Sequence, residues 1–146
     1  LLLFEKEKLV APEISLGGNF TYDSNGEYYS TTKVYGYILK HGIIESYYFW
    51  LGLMNSNLFW FFLKNTGYVL RGGYYTFKTN YILPFPIPAT IPTEIWKNIE
   101  HSVLNIIAYK SNNDYHRIKT EEMNINNCIY KLYDIKDKEI NIITNS

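Results

Sequence analysis

One stretch constrains this chain more than any other. Tyr47-Tyr48-Phe49-Trp50-Leu51-Gly52-Leu53-Met54 is followed, after Asn55-Ser56-Asn57, by Leu58-Phe59-Trp60-Phe61-Phe62-Leu63. At a helical period it is apolar on almost every side, so it must be surrounded by protein or by lipid. A membrane span needs about 20 mostly apolar residues. Here Glu45 and the Asn55-Ser56-Asn57 insert interrupt the run, and neither flank is strongly basic. The prediction is therefore a buried helix over 44–64 at the centre of a domain that does not enter the membrane. Gly67 is placed to end it as a left-handed cap, and Trp50, Trp60 and Trp96 belong to the core. Asn55 and Ser56, polar inside this helix, are expected to make structural hydrogen bonds.

Around that helix the sequence reads as short strands. Lys8–Ser15 is extended, with Pro12 marking an edge or bulge. Phe20-Thr21-Tyr22 precedes Asp23-Ser24-Asn25-Gly26, a hairpin turn in which Asn-Gly accepts positive φ. Residues 28–40, rich in Tyr, Thr and Val, predict two further strands. Residues 68–83 return to strand, interrupted at Gly72-Gly73. Leu83-Pro84-Phe85-Pro86-Ile87-Pro88 has proline at every second position and cannot be helical. Beyond it, Ile95, Trp96, Ile99, Val103, Leu104, Ile106 and Ile107 recur at helical spacing. A polar loop over 111–116 and helices over about 121–133 and 136–144 follow. The fold class is α+β: a small mixed or antiparallel sheet around a central apolar helix, then C-terminal helices. A chain of 146 residues makes one domain, with a recognition core over 1–88 and a helical subregion over 89–146.

Composition excludes several functions. The single cysteine, Cys128, permits neither a disulfide framework nor a cysteine zinc cluster, and fits a reducing, cytoplasmic setting. It lies among Ile125, Ile129 and Leu132 and reads as a structural thiol. His41, His101 and His116 are scattered without a second ligand at i+3 or i+4. No glycine-rich phosphate loop is present. Neither an Asn-Pro-Pro-Tyr-like tetrapeptide nor a Pro-Asp…Glu-x-Lys arrangement occurs, so no catalytic centre, metal or cofactor is expected in this chain. Residue 1 is Leu, and the start reads as the cut end of a longer polypeptide. The net charge is zero but unevenly spread: −3 over residues 1–27, +4 over 28–82 and −1 over 83–146. A surface meeting phosphate should be built from the middle third.

Four segments, in order, resemble the TaqI-like C-terminal specificity domain of type II and type IIG DNA adenine methyltransferases of restriction-modification systems. Lys8-Leu9-Val10-Ala11-Pro12-Glu13-Ile14-Ser15, with Phe20, Asp23 and Tyr28, is similar to the family's opening strands. Leu53-Met54-Asn55-Ser56-Asn57-Leu58 is similar to its Leu-Asn-Ser helix, with Met54 for the usual Leu. Arg71-Gly72-Gly73 leading to Leu83–Pro88 is similar to its Pro-Ile-Pro exit. Cys128–Ile140 resembles its Leu-Tyr-x-Leu-Thr-x-x-Glu-Ile ending, with Lys136 where Thr or Ser usually caps the last helix. The resemblance implies a module that binds double-stranded DNA and selects the target. An upstream methyltransferase domain of the same polypeptide would use S-adenosylmethionine, and a nuclease domain requiring magnesium is often fused further upstream. The helices after Pro88 should pack on the recognition core or on the catalytic domain.

Reading DNA requires cations for phosphates and forked or planar polar groups for base edges. Arg71 is the candidate base reader, because its fork matches guanine O6/N7 and the adjacent glycines allow close approach. Lys33, Lys64 and Lys78 are candidate phosphate contacts. Ser30, Thr31, Thr32, Tyr74, Tyr75 and Thr79 are candidates for additional polar contacts. The expectation is a single positive face presenting these groups to a duplex. The alternative is a docking module that makes no base contacts.

Overall fold

The computed structural model describes residues 3–29 and 33–146. Its elements are β1 (Lys8–Pro12), β2 (Ile14–Ser15), β3 (Thr21–Asp23), β4 (Val34–Tyr37), α1 (Tyr47–Met54), α2 (Asn57–Thr66), β5 (Tyr75–Thr76), α3 (Thr79–Ile82), α4 (Thr93–Ser111), α5 (Tyr115–Leu132) and α6 (Asp137–Thr144). Two small antiparallel sheets form, ordered β3-β1-β4 and β2-β5. The fold is α+β, as expected. Among the described residues of 28–40 there is one strand, β4, where two were expected.

The apolar stretch is not one helix but two. Ser56 ends α1 and starts α2: its hydroxyl donates to the Leu53 carbonyl (2.7 Å) and accepts from the Phe59 N–H (3.2 Å). Such a serine satisfies both helix ends at once. Asn55 turns its side chain outward to the residue before β3. Its Oδ1 accepts from Phe20 N–H and its Nδ2 donates to Phe20 O, both at 2.9 Å. The amide thereby stands in for a neighbouring strand, the structural role foreseen for it. Gly67 also departs from expectation. It is extended (φ −82°, ψ −179°), and its N–H closes the last turn on Leu63 O.

Both helices share a single buried cluster with the sheets and the C-terminal helices. Phe49, Leu53, Phe59 and Leu63 share one buried cluster with Leu9, Phe20 and Phe77 of the strands and the segments beside them and with Ile99, Val103 and Ile129 of α4 and α5. Phe20 lies at its aromatic centre, with the Tyr37, Phe59 and Phe77 rings 5.7–5.9 Å away. Trp96 is buried, and Trp50 and Trp60 are partly buried against the cluster. α5 begins earlier than predicted, because Asp114 caps it by accepting from Arg117 N–H at 3.2 Å. At α6, Lys136 lacks a capping hydroxyl, and Glu139 compensates by accepting the Lys136 N–H at 2.7 Å. Cys128 is half-buried on α5, and burial raises its thiol pKa, partly countered by the Lys131 charge.

α1 crosses α4 at Gly52, where an added Cβ would sit 2.7 Å from Ile99 Cγ2 and 3.1 Å from Val103 Cγ2. Gly52→Val should therefore cost about 2–3 kcal/mol through overpacking. Gly52→Ala should cost less, because better helix propensity returns about 1 kcal/mol. Urea denaturation checks this; an unchanged midpoint for Gly52→Val would show that the helices are not held this close.

Candidate nucleic-acid interface

The segment around Arg71 folds into a short ribbon. Val69 bridges Tyr75, Leu70 N–H donates to Tyr74 O (2.7 Å), and β5 continues the ribbon onto β2. Gly73 N–H returns to Leu70 O at 3.1 Å, closing a turn with Arg71 and Gly72 at its centre. Gly72 (φ +87°) and Gly73 (φ +81°) both occupy the left-handed region, and positive φ at the third turn position is what a type II turn demands. Arg71 is thus displayed at the tip, exposed and without an ion pair among the described residues.

The two candidate tyrosines beside it face opposite ways, as strand periodicity requires. Tyr75 turns inward, edge-on to the Trp60 ring of α2 at 5.2 Å. Tyr74 turns outward and is 42% exposed.

Lys33, Lys78 and Thr79 gather at the other end of the ribbon around Glu13. Glu13 N–H donates to Lys33 O (2.8 Å), and Glu13 O accepts from Phe77 N–H (2.7 Å). This one residue between β1 and β2 thereby joins the start of β4 to the end of β5. Lys78 Nζ stands 3.8 Å from Glu13 Oε1, with its side chain half-exposed. Thr79 opens α3 next to Tyr37, whose phenol donates to Phe77 O at 3.3 Å. Burial pushes the Tyr37 phenol up to about 12, with the Thr79 hydroxyl bond opposing and Tyr35 adding to the rise.

Lys64 lies elsewhere. On the last turn of α2 its Nζ is 5.9 Å from the Trp60 ring centroid and donates to Ser146 O and Oγ, both at 3.0 Å. Ser30, Thr31 and Thr32 lie outside the described residues. The four cations therefore stand in three places, not on one positive face. The reason is geometric: Arg71 stands in the turn at one end of the ribbon, Lys78 follows β5 at the other, and Lys64 sits on α2, whose Trp60 ring packs against Tyr75 of the ribbon.

Sequence reasoning missed one charged pair. Lys8 Nζ meets Asp23 Oδ2 at 2.6 Å, with side chains only 1% and 3% exposed. Lys8 also donates to Phe4 O (2.7 Å), and the Asp23 carboxylate accepts the Glu27 and Tyr28 N–H groups at 3.0 Å each. Burial alone would raise the Asp23 pKa. The bonds from Lys8, Tyr28 and Glu27 and the Lys8 charge outweigh it and bring the pKa down to about 2. The pair fixes the loop that leads from β3 towards Lys33. No strand-period rule flags Lys8; only the β1–β3 register, which sets Lys8 opposite Asp23, reveals it.

A groove of about 750 Å³ lined from the β3 side, α1, α4 and α5 offers one cation, Lys110, and one carboxylate, Glu122, and so has little attraction for phosphate. Among the described residues no cluster of three or more His, Cys, Asp or Glu could hold a metal ion. Also among the described residues, no helix is long and apolar enough to cross a membrane. Residues 2–87 match the family described as TaqI-like C-terminal specificity domain, a match that ends in the proline run before α4. No curated protein matches the chain.

Proposed function

Because the chain belongs to the TaqI-like C-terminal specificity domain family, we propose that it selects the DNA target of a restriction-modification enzyme, and that it does so with the Arg71 hairpin tip. The observation that carries this reading is the exposed guanidinium on a paired-glycine turn. A guanidinium recognises guanine O6 and N7 through two parallel bonds, and a narrow two-stranded ribbon is the kind of element the major groove admits. Lys33 and Lys78, grouped at the far end of the ribbon, are suited to phosphates further along the duplex. The Lys78–Glu13 pair is exposed, worth at most about 1 kcal/mol, and does not prevent that exchange. Lys64, held by Ser146, contributes less. Ser30, Thr31 and Thr32 precede Lys33 and would add contacts beside it, as would Thr79 beside Lys78.

The chain adds no chemistry in this reading. Methyl transfer to adenine N6, with S-adenosylmethionine, belongs to an upstream domain of the same polypeptide, as does any fused nuclease with its magnesium. Arg71→Ala in the full enzyme should weaken target binding about tenfold or more and relax selectivity at one base pair. Lys78→Ala should weaken all sequences alike and flatten the salt dependence by about one unit of slope. Titrations of target and scrambled duplexes at several salt concentrations check both. If neither variant changes affinity, the domain docks protein rather than reading DNA. Exchanging residues 2–87 between two enzymes of the family should carry the methylated sequence with it.

A further inference from the structure

Glu13 stands where attraction for phosphate alone would not put it. It is the one residue between β1 and β2, and a carboxylate beside cations offered to DNA works against their field. Its main chain is committed on both sides. The N–H holds Lys33 O at 2.8 Å and the carbonyl holds Phe77 N–H at 2.7 Å, so Glu13 cannot shift without moving the approach to both lysines. Its side chain is not buried with them. It is 26% exposed, and Oε1 lies 3.8 Å from Lys78 Nζ. Among the described residues no other carboxylate comes within ion-pair reach of that ammonium.

Lys78 is pinned in the same manner. Its N–H donates to the hydroxyl of buried Thr76 at 3.3 Å, and its carbonyl accepts from Tyr81 N–H at 2.9 Å as α3 begins. The backbone is held on both sides, and only the flexible stem, 54% exposed, can swing. The ammonium then has two anionic destinations. One is Glu13, which the fold keeps within reach; the other is a phosphate that arrives with the duplex. Taking the phosphate means leaving Glu13 and setting a bare carboxylate near the DNA backbone. An exposed pair makes that exchange cheap but not free. Arg71 stands in the turn at the other end of the ribbon, so the cost falls on the sequence-independent part of binding and not on the base contact. Resting on the DNA-recognition reading above, we propose that Glu13 is a positioning residue that restrains Lys78: it retains the ammonium when no phosphate is in reach, and it lowers the grip of this end of the ribbon on every sequence alike.

The test uses the full enzyme with target and scrambled duplexes. Glu13→Gln keeps the length of the side chain and both backbone bonds and removes the charge. It should tighten both duplexes by the same factor, about two- to fivefold at low salt. It should also steepen the salt dependence by up to about one unit of slope, because Lys78 no longer gives up a carboxylate when it meets phosphate. The ratio of target to scrambled affinity should not move. In a Lys78→Ala background the same substitution should leave affinity and slope where they were. Glu94→Gln, at an exposed position on the first turn of α4, changes the net charge equally and should have no such effect. If the tightening persists in full without Lys78, or Glu94→Gln matches it, the carboxylate repels DNA only as bulk charge, and the restraint is refuted while DNA recognition stands. If Glu13→Gln weakens binding or leaves it unchanged, the restraint is refuted as well. If the wild type binds neither duplex, the recognition reading fails and the restraint with it.

Discussion

Lys8→Met is expected to lower the stability of this domain by about 3–5 kcal/mol, the range seen when one partner of a buried ion pair is removed. Methionine matches the lysine stem in length and apolar character, so the loss is electrostatic rather than volumetric. What remains is a carboxylate with 3% exposure that keeps its two backbone N–H donors, Glu27 and Tyr28, and loses its counter-charge. The carbonyl of Phe4, which accepts from Lys8 Nζ at 2.7 Å, loses its donor as well. The pH dependence separates this cause from lost packing. In the wild type the Asp23 pKa is lowered to about 2, below its value in the unfolded chain. The contribution of Asp23 is therefore complete above about pH 4 and is lost as the pH falls towards 2. Without Lys8 the same burial raises the carboxyl pKa, so the variant regains ground on acidification instead. The gap between the two proteins should narrow from pH 7 to pH 3 in urea denaturation, and Lys8→Met/Asp23→Asn should recover part of it at pH 7. A single variant within about 1 kcal/mol of wild type at pH 7 would mean that the pair is solvated.

The pair also shows where the sequence stops being legible. Elements set by local periodicity were readable. The apolar stretch over 44–64 is central, α4 lies where Trp96, Ile99 and Val103 recur, and the proline run separates the parts. Features set by partners distant in sequence were not. The break at Asn55-Ser56 depends on the Asn55 amide finding the Phe20 backbone 35 residues away. Asn25-Gly26 has the sequence of a hairpin turn. Gly26 does take positive φ, but among the described residues no strand following it pairs with β3, and the Asp23 carboxylate collects the Glu27 and Tyr28 N–H groups instead. The candidate DNA contacts divide the same way. Arg71-Gly72-Gly73 could be picked out as an exposed turn from the glycines alone. The separation of Lys64 from the ribbon, and the position of Glu13 between Lys33 and Lys78, follow from sheet register and helix packing, which a count of charge along the chain cannot see.

Gly26→Ala is expected to be nearly as damaging as loss of Lys8, and for a steric reason. Gly26 is buried at φ +67°, and an added Cβ would lie 2.1 Å from the Glu5 carbonyl oxygen and 2.4 Å from its carbon. Left-handed backbone costs alanine about 1–2 kcal/mol by itself. The contact adds more, because its partner is main chain and cannot rotate away. The turn at Glu5 is itself pinned by the Lys8–Phe4 bond, so neither side can yield without disturbing the buried pair. The total should be about 3 kcal/mol or more, measured as a drop in the urea midpoint. Gly26→Asn distinguishes the two contributions. Asparagine tolerates the left-handed region yet still carries a Cβ, so it should be nearly as unstable as alanine; recovery to wild-type stability would mean that φ alone matters and that Glu5 does not approach this closely. Function provides a second readout. Tyr28 and Tyr29 follow directly, Tyr29 meets the Phe4 ring at 5.8 Å, and the chain runs on to Lys33. Displacing this loop should weaken DNA binding through the Lys33 end, while the selectivity assigned to Arg71, on the separate β5 ribbon, should survive in whatever fraction of the enzyme remains folded.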